Sequence, residues 1–473
     1  MIIYVLYVAN IYMKSIPPDL QLTEIKMGIP PFELYRRIKG EYDRSFMLES
    51  SVGDQRTVAY SFLGFGPEQM LRCKNGRVEG GDGLDHLRER PIDFLKQYIG
   101  QHRIDTELFP FVGGLVGYLS YEFTSQVEPS FPDLRSRDFP EFEFGLYKEG
   151  IIFDHSSFRA YHFATGEKGE LMEMLDSLPP VKDIALDADR LRSNLTQDRF
   201  EEAVEEAKRR VFAGEAFQVV LSRALSSPCS GDPLALYSDL RHSNPSPYMF
   251  YLDFDQRQVL GSSPETLVTV RGREATTFPI AGTRPLGVGS RGRRKMREEM
   301  LLDEKERAEH CMLVDLARND IGKVSEFGSV HVPEFMRAEA FSHVQHIVSK
   351  VQGTLRPDVQ ALDALAAVFP AGTVSGAPKP RAMEIIAELE GLPRGPYAGG
   401  VGYLSFNGNL DSAITIRSAF VNEGRIRVQA GAGIVADSDP TSEFHETEQK
   451  LGALLDALRR CSFRSRGEEE AIA

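Results

Sequence analysis

The alternation of strand-like apolar runs with amphipathic helical segments constrains the fold of this chain of 473 residues more than any other feature. From residue 199 onward, helical patterns such as FEEAVEEAKRRVFAG alternate with strand-like runs such as FQVVLSRAL, and an Asn407–Gly408 turn indicates a hairpin. No GxGxxG motif follows a strand, so the pattern does not indicate a dinucleotide-binding βαβ series. We therefore predict an α+β fold with antiparallel sheets and separate layers of helices.

The segment that separates two parts of the chain spans residues 178–200. It reads LPPVKDIALDADRLRSNLTQDRF, and it combines a proline pair with charged residues before Ser193 or Thr196 caps a helix. Runs that precede it, such as FVGGLVGYLSYEF, are typical of strands and hairpins. We predict an N-terminal α+β region over residues 1–185, a second domain over 190–462, and an acidic tail over 463–473.

Composition excludes several classes of protein. With 42% hydrophobic and 26% charged residues the chain is neither disordered nor fibrous, and a net charge of −14 argues against a nucleic-acid or polybasic membrane partner. The apolar run at residues 1–16 is too short to span a bilayer. The cysteines lie far apart without metal-binding spacing, so we predict reduced thiols in a cytoplasmic protein.

Two pairs of glutamates form the first candidate site. Glu306 and Glu309 lie three residues apart on one predicted helix, and Glu443 and Glu446 lie three apart on another, so each pair shares a helix face. Oxygen ligands of this kind suit Mg²⁺. Either pair alone is more typical of a solvated acidic face. Each borders an apolar stretch, however, where carboxylates without a cation would be costly to bury.

Glycine-rich segments and a strand arginine add features typical of an anion site. FPAGTVSGAPKPRAMEII predicts a polar loop with Thr373 before a helix N-terminus, and QAGAGIV places Gly431 and Gly433 where backbone amides can approach a ligand. Arg417 lies in the predicted strand TIRSA. A plain helix cap, a β-bulge and a structural ion pair would explain these features separately. Together they predict a pocket for a dianionic, Mg²⁺-bound small molecule.

Five motifs in this chain resemble those of the chorismate-utilising enzymes, and most closely the large subunits of anthranilate synthase. They are FPAGTVSGAPKPRAMEII, ERAEHCMLVDLARNDIG, PIAGTRPLG, AGAGIV and EFHETEQK, and the likeness extends from about Arg199 to Leu458. The resemblance implies a layered α/β/β/α sandwich with large antiparallel sheets, chorismate as substrate and Mg²⁺ as cofactor. It implies Glu309 and Glu446 as metal ligands, with Glu306 and Glu443 holding the metal-bound water.

The resemblance also assigns residues to the substrate. The positions that match chorismate-binding ones are Gly282, Thr283, Tyr403, Arg417, Gly431, Ala432, Gly433 and Lys450. Arg417 and Tyr403 would clamp the enolpyruvyl carboxylate, and Thr373 would contact the ring side. Glu265 matches the general acid that protonates the departing C4 hydroxyl, and a glutamate among apolar residues should have a raised pKa.

Three positions bear on the nucleophile. Water-adding relatives carry a lysine base where this chain has Gln218, and an amide cannot deprotonate water, so we predict an enzyme that adds ammonia. Many relatives that aminate C4 carry a lysine where this chain has Ala281, which favours attack at C2. His346 matches a histidine associated with loss of pyruvate. The resemblance thus predicts anthranilate synthase in tryptophan biosynthesis; because some C4-aminating relatives lack the lysine too, 4-amino-4-deoxychorismate synthase stays open.

The resemblance finally implies two partners. No cysteine has the context of an amidotransferase nucleophile, so ammonia would come from a separate glutamine amidotransferase subunit. SFMLESSVGDQRTVAYSFLGFGP and NPSPYMFYL resemble the segments that form a tryptophan inhibitor pocket in anthranilate synthases. The residues predicted to bind this inhibitor are Glu49, Ser50, Pro247, Tyr248 and Met249.

Overall fold

The computed structural model describes residues 16–26, 28–50, 60–80, 90–132, 134, 136, 138–166, 169, 171–287, 289–340 and 344–466. In these ranges the helices are α1 (Pro31–Ile38), α2 (Pro91–Gly100), α3 (Leu171–Asp176), α4 (Gln197–Phe212), α5 (Leu234–Ser243), α6 (Gly289–Leu302), α7 (Glu304–Gly322), α8 (Ala361–Val368), α9 (Gly372–Ser375), α10 (Lys379–Glu390) and α11 (Pro440–Arg466). Short 3₁₀ helices span Lys39–Glu41 and Tyr121–Gln126.

The strands of the first half of the chain are β1 (Leu20–Ile25), β2 (Arg44–Glu49), β3 (Tyr60–Phe65), β4 (Gln69–Lys74), β5 (Arg77–Glu79), β6 (Gly114–Leu119), β7 (Phe142–Tyr147), β8 (Glu149–Asp154), β9 (Arg159–Thr165), β10 (Leu186–Ala188), β11 (Arg192–Ser193) and β12 (Gln218–Gly231). Those of the second half are β13 (Tyr248–Phe254), β14 (Arg257–Ser263), β15 (Thr266–Arg271), β16 (Glu274–Thr277), β17 (Ile280–Pro285), β18 (His331–Ala340), β19 (Val344–Thr354), β20 (Gly376–Ala377), β21 (Gly400–Ser405), β22 (Leu410–Ile414), β23 (Ser418–Asn422) and β24 (Arg425–Ile434).

These strands form two large antiparallel sheets in the described part of the chain. The 13-stranded sheet has the order β1-β9-β8-β3-β2-β13-β14-β23-β24-β12-β10, with β11 and β20 also pairing with β12. The 11-stranded sheet has the order β17-β19-β16-β15-β22-β21-β6-β7-β4-β5, with β18 pairing with β19. The hairpin predicted at Asn407–Gly408 joins β21 to β22.

The apolar cores show how the layers are stacked. One core fills the space between the sheets, because it unites Phe46 and Phe250 of the first sheet with Leu115 and Val268 of the second, and α2, α7 and α8 also contribute to it. A second core lies between the first sheet and α1, α5 and α11. Side chains buried from both sides of a sheet in this way give a four-layer α/β/β/α sandwich, as predicted.

Both sheets continue across the predicted boundary at residues 185–190. In the first sheet β2 pairs with β13, with Met47 opposite Tyr251, and in the second β6 pairs with β21. The described strands before residue 185 therefore share both sheets with strands after residue 190, and the boundary between two domains stays a prediction. Of the predicted acidic tail, residues 463–466 continue α11, and residues 467–473 lie outside the described ones.

Local signals explain where several elements begin and end. Thr196 caps α4, since its side chain accepts from the amide of Arg199. The helical pattern of MREEMLLDEKERAEHCMLVDLARNDIG is divided between α6 and α7, because Asp303 leaves helical geometry and caps α7 by accepting from the amide of Glu306. Among the described residues, none of the helices has both the length and the apolar character needed to cross a bilayer.

Candidate active site

The two glutamate pairs come together where α7 faces α11. Burial raises the pKa of Glu309, and the negative charges of Glu306 on the same helix and Glu446 on the other raise it further. Burial also raises the pKa of Glu443, again with a contribution from Glu446. Carboxylates influence one another in this way only at short range in a poorly solvated site. Glu306, Glu309 and Glu443 therefore lie near Glu446 or one another, and the assembly of the four carboxylates into one metal site stays a prediction.

Cations and an amide already contact part of this carboxylate cluster. Arg284 of β17 lies 3.0 Å from Glu306, and Lys450 lies 2.6 Å from Glu446. The amide of Gln218 donates to Glu309 at 3.3 Å. In the described residues no three His, Cys, Asp or Glu side chains converge closely enough to form a complete metal site.

The donor set nevertheless fits Mg²⁺. This ion keeps several waters and is commonly held by one or two carboxylates together with an anionic substrate, so a cluster of three protein ligands is not required. Glu306 is paired with Arg284 and Glu446 with Lys450, whereas the hydrogen bond that Glu309 makes in the described part of the chain is the weak, neutral one from Gln218. Glu309 is thus the carboxylate best placed to hold the ion directly, and the roles of Glu309 and Glu446 as ligands stay predictions.

Backbone glycines of β24 form the wall opposite these helices. A Cβ atom at Gly433 would lie 2.4 Å from Nε2 of Gln218, and one at Gly431 would lie 2.7 Å from the carbonyl oxygen of Leu221. Side chains there would push into the neighbouring strand β12. Ala432 points the other way, into an apolar cluster, so only its backbone can reach a ligand. The predicted glycine-rich wall therefore offers only backbone atoms to a ligand.

Arg417 reaches this wall from an unusual backbone position. It was predicted in a strand, but it lies between β22 and β23 with φ of 53°, a left-handed conformation that bends the chain out of the sheet. Its guanidinium donates to the carbonyl oxygen of Lys450, and the ammonium of Lys450 donates to that of Gly431 at 2.9 Å. Burial lowers the pKa of Arg417, and Tyr397 and Glu446 offset this in part. Two cations therefore line the site beside the glycine wall.

The tyrosine beside Arg417 is Tyr397, and not Tyr403 as predicted. The hydroxyl of Tyr397 lies 3.0 Å from where a Cβ of Gly431 would be. Burial raises the pKa of this phenol to about 12, and the positive charges of Arg394 and, to a smaller extent, Arg417 counteract this in part. Tyr403 instead packs its ring against Phe62 and Phe111 between the sheets. A clamp on a ligand carboxylate would thus consist of Arg417 and Tyr397. The one sequence feature that could have indicated Tyr397 as a site residue is its place among glycines just before β21.

Glu265 has the environment of an acid that is protonated near neutrality. It lies on the short connection between β14 and β15, where its amide donates to the hydroxyl of Ser263 at 3.3 Å. Burial raises its pKa to about 7, which Thr373 and the positive charge of Lys450 counteract in part. The hydroxyl of Thr373 is buried and has no full hydrogen bond to any residue described. Glu265 and Thr373 also line one cavity of about 50 Å³.

His346 lies on the other side of the cations. Its Nδ1 is 2.8 Å from the carbonyl oxygen of Gly282, and a carbonyl can only accept, so Nδ1 carries the hydrogen and Nε2 is the basic nitrogen. Burial lowers the pKa of His346, and the charge of Arg417 lowers it further. Gly282 adopts a φ of 65°, and a Cβ there would lie 3.2 Å from Glu306. The backbone of Thr283 pairs with that of His346.

The residues predicted for an inhibitor pocket do not share one face of the sheet. Glu49 is opposite Met249 in the β2–β13 pair, and both face the helix layer, where Arg241 and Tyr237 bond to the Glu49 carboxylate at 2.7 and 2.8 Å. The oxygens of Glu49 thus already accept from a cation and a phenol, and its predicted role in binding an inhibitor stays a prediction. Met249 likewise packs in the core beneath the helices.

Ser50 and Tyr248 face the opposite side, the layer between the sheets. The hydroxyl of Ser50 is buried and bonds to no residue that the structure describes. The hydroxyl of Tyr248 bonds to Thr266 at 2.9 Å and to Asp411 at 3.1 Å. Pro247, which precedes β13, is half-buried.

Tyr403 belongs to this same layer. Asp411, which bonds to Tyr248, also pairs with Arg271 at 2.7 Å, and the Arg271 guanidinium lies 5.7 Å from the centre of the Tyr403 ring. The phenol oxygen of Tyr403 is buried near Arg271 and makes no full hydrogen bond within the described part of the chain. A second polar site, distinct from the carboxylate site, thus lies between the sheets around Tyr248 and Tyr403.

Comparison with known proteins identifies the family. Residues 43–456 match the family of chorismate binding enzymes. This chain belongs to that family. The predicted membership is confirmed, and a chorismate-binding enzyme accounts for two cations and a carboxylate cluster around one buried acid.

Relatives of this chorismate-binding enzyme span nearly its whole length. It is 48% identical to anthranilate synthase component 1 of Methanothermobacter thermautotrophicus, over 90% of this chain and 92% of the relative, and 43% identical to that of Saccharolobus solfataricus, over 90% and 97%. Among solved structures, anthranilate synthase component I of Streptococcus pneumoniae superposes with a TM-score of 0.77 at 36% identity, covering 90% of this chain and 97% of that one. The menaquinone-specific isochorismate synthase of Escherichia coli shares the fold, with a TM-score of 0.71 at 21% identity and 96% and 98% coverage.

Proposed function

We propose that this chain is the large subunit of an anthranilate synthase, which converts chorismate and ammonia to anthranilate and pyruvate. The observation that carries the proposal is a buried acid, Glu265, whose pKa is raised to about 7 and which interacts with Lys450, a residue bonded directly to the carboxylate cluster through Glu446. The names of the relatives at 43–48% identity support amination at C2 over amination at C4.

The first half-reaction is a substitution that needs an acid. Glu265 donates its proton to the C4 hydroxyl, which leaves as water while ammonia forms the new bond at C2. At pH 7 about half of a carboxyl group with a pKa near 7 is protonated, so Glu265 can act as this donor. Gln218, whose amide donates to Glu309, is neutral and offers no base to activate water. The nucleophile must therefore be basic already, as ammonia is.

The second half-reaction removes a proton from C2 as the bond to the enolpyruvyl oxygen breaks and the released enolpyruvate takes up a proton to become pyruvate. His346 is suited to accept the C2 proton, because its lowered pKa keeps the imidazole neutral near pH 7 and its Nδ1 hydrogen bond leaves Nε2 as the basic nitrogen. Arg417 and Tyr397 bind and orient the enolpyruvyl carboxylate.

Mg²⁺ is the cofactor we propose, held by Glu309 and Glu446, with Glu306 and Glu443 on its water shell. When bound, it neutralises the ring carboxylate and so allows a dianionic substrate to lie among acidic side chains. Lys450 bonds to both Glu446 and Gly431, so it connects the metal side of the site to the glycine wall.

Three further parts of the proposal concern partners and location. Ammonia comes from a glutamine amidotransferase subunit, in keeping with relatives named component 1. Tryptophan inhibits the enzyme by binding between the sheets, where the hydroxyls of Ser50 and Tyr403 make no full hydrogen bond to the residues described. The enzyme is cytoplasmic, a proposal that the four free thiols support.

The test is a direct assay of the purified chain with chorismate, Mg²⁺ and an ammonium salt. We expect the fluorescence of anthranilate to appear without any added lyase, and to depend on Mg²⁺. Accumulation of a non-fluorescent amino-chorismate that needs a separate lyase would instead identify 4-amino-4-deoxychorismate synthase. Adding the glutaminase subunit and glutamine should replace the ammonium salt.

A further inference from the structure

Arg394 is a fully buried cation just outside the site described above. Its side chain is 1% exposed, and it follows α10 in the segment that leads to Tyr397. Its principal partner is Glu390, to which Nε donates at 2.9 Å and Nη2 at 2.6 Å, a two-pronged pair. Burying such a pair is favourable only when the remaining donors and acceptors are satisfied as well.

The remaining donors of Arg394 go to backbone atoms of two active-site segments. Nη1 donates to the carbonyl oxygen of Val374 at 2.8 Å, and Val374 follows Thr373 directly. Nη2 donates to the carbonyl oxygen of Val220 at 2.7 Å, two residues from Gln218 on β12. One guanidinium thus joins the loop that carries Thr373 to the strand that carries Gln218.

Glu390 completes the contact with β12. Its Oε1 accepts from the amide and the hydroxyl of Ser222 at 2.7 and 2.8 Å. Val220 and Ser222 direct these backbone groups away from β24, the strand that pairs with the other edge of β12. The ion pair therefore takes the place of a missing neighbouring strand over this stretch. Unsatisfied backbone groups at this buried edge would otherwise be costly.

We propose that Arg394 is a positioning residue for the reaction. It sets the distance between the loop that carries Thr373 and the strand that carries Gln218, and the placement of Glu265 and of the incoming nucleophile depends on this distance. The inference rests on the proposed function for its kinetic part only. Lysine cannot replace this arginine, since an ammonium lacks the planar fork that reaches Glu390, Val374 and Val220 together. Arg417 and Lys450, which bind the substrate anions, are held by separate contacts.

The kinetic prediction is a separation of kcat from KM. In Arg394→Lys we expect kcat with ammonia to fall about 10- to 100-fold, because small displacements of reacting groups have effects of this size. KM for chorismate should change by a smaller factor, because lysine keeps a positive charge near the ring of Tyr397, which lies 5.7 Å from the Arg394 guanidinium. The matched control is Arg257→Lys. Arg257 forms an equally two-pronged pair with buried Glu143, at 2.7 and 3.0 Å, far from these segments in the β14–β7 region. It should lose thermal stability comparably and keep its kcat.

The structural readout does not depend on the reaction. Hydrogen exchange of the amides in residues 218–222 and 372–377 should accelerate in Arg394→Lys and stay unchanged in Arg257→Lys. If Arg394→Lys does not fold, Ser222→Ala decides the question, and we expect a roughly threefold lower kcat. This variant removes the hydroxyl contact to Glu390 and also the one that the hydroxyl accepts from the amide of Gln429, so Gln429→Ala, which removes only the second, is its control and should keep its kcat.

Normal kcat in Arg394→Lys, or equal losses of kcat in both arginine variants, would overturn the inference. If Arg394→Lys does not fold, an unchanged kcat in Ser222→Ala would overturn it. If the wild-type chain forms no anthranilate but the exchange pattern appears as expected, the proposed function fails and the positioning role of Arg394 stands.

Discussion

Replacing Glu265 by glutamine should greatly lower activity and stabilise the protein at the same time. The two effects share one cause, since burial raises the pKa of this carboxyl from 4.5 to about 7. The folded protein keeps the proton that the unfolded chain loses at lower pH. Stability from this group is therefore fully present below about pH 4.5 and is lost as the pH rises through 7.

The size of the effect follows from the shift. At 1.36 kcal/mol per unit of pKa, the raised pKa of Glu265 lowers the unfolding free energy by about 1 kcal/mol at pH 5, where mainly the unfolded chain ionises, and by about 3 kcal/mol at pH 8. Glutamine is neutral at every pH and avoids this cost. The gain in unfolding free energy of Glu265→Gln over wild type should grow by about 2 kcal/mol between pH 5 and pH 8.

Urea denaturation at a series of pH values measures the stability half of this prediction. Glu298→Gln, a change on the exposed face of α6, serves as the control and should shift the free energy of unfolding by no more than about 0.5 kcal/mol, equally at each pH. Anthranilate formation measures the other half, and Glu265→Gln should lower kcat about 10²- to 10⁴-fold, the usual contribution of a general acid. A pH-independent difference in stability, or a variant that retains its kcat, would refute the reasoning.

The remaining predictions concern substrate, metal and nucleophile. Tyr397→Phe should raise KM for chorismate about tenfold, whereas Tyr403→Phe should leave KM unchanged and alter only the response to tryptophan; the opposite pattern would restore Tyr403 to the carboxylate clamp. Glu309→Gln should raise the Mg²⁺ concentration for half-maximal rate at least about tenfold, and an unchanged Mg²⁺ titration would remove it from the metal site. Gly433→Ala should lower kcat without unfolding the chain, because the added Cβ would lie 2.4 Å from the movable amide end of Gln218. A direct measurement of chorismate binding would show whether the variant loses affinity for the substrate instead of kcat.

The layers and the site helices could be predicted because they depend on local patterns. Apolar periodicity identifies β12 and α10, and the i, i+3 spacing places Glu306 with Glu309 on one helix face whatever the rest of the chain does. The placement of α7 opposite α11 depends on tertiary structure, and only the resemblance to a family predicted it. The structure supports it through the effect of Glu446 on the pKa of Glu309.

What sequence patterns could not supply was the side of the sheet on which a residue lies. Glu49 and Ser50 are adjacent, so they face opposite layers of the first sheet, and a motif that names both cannot tell which one faces a cavity. Tyr397 and Tyr403 lie six residues apart in a glycine-rich segment, and only packing places one beside Arg417 and the other against Phe62. The left-handed backbone of Arg417 is likewise invisible in the run TIRSA, which has the composition of a strand.

The two sites are connected through a single pair of neighbouring residues. The Tyr248 hydroxyl, in the layer between the sheets, bonds to Thr266, and Thr266 follows Glu265 in the chain. The backbone carbonyl of Glu265 accepts from the amide of Ile414 at 3.0 Å, and the hydroxyl of Ser263 donates to the carbonyl of Ile414 at 2.7 Å. We predict that a ligand which displaces Tyr248 also displaces Glu265, the proposed general acid, because Glu265 and Thr266 are joined by one peptide bond on a short link between two strands. Coupling of this kind between an inhibitor and the proton donor would require no movement of a whole domain.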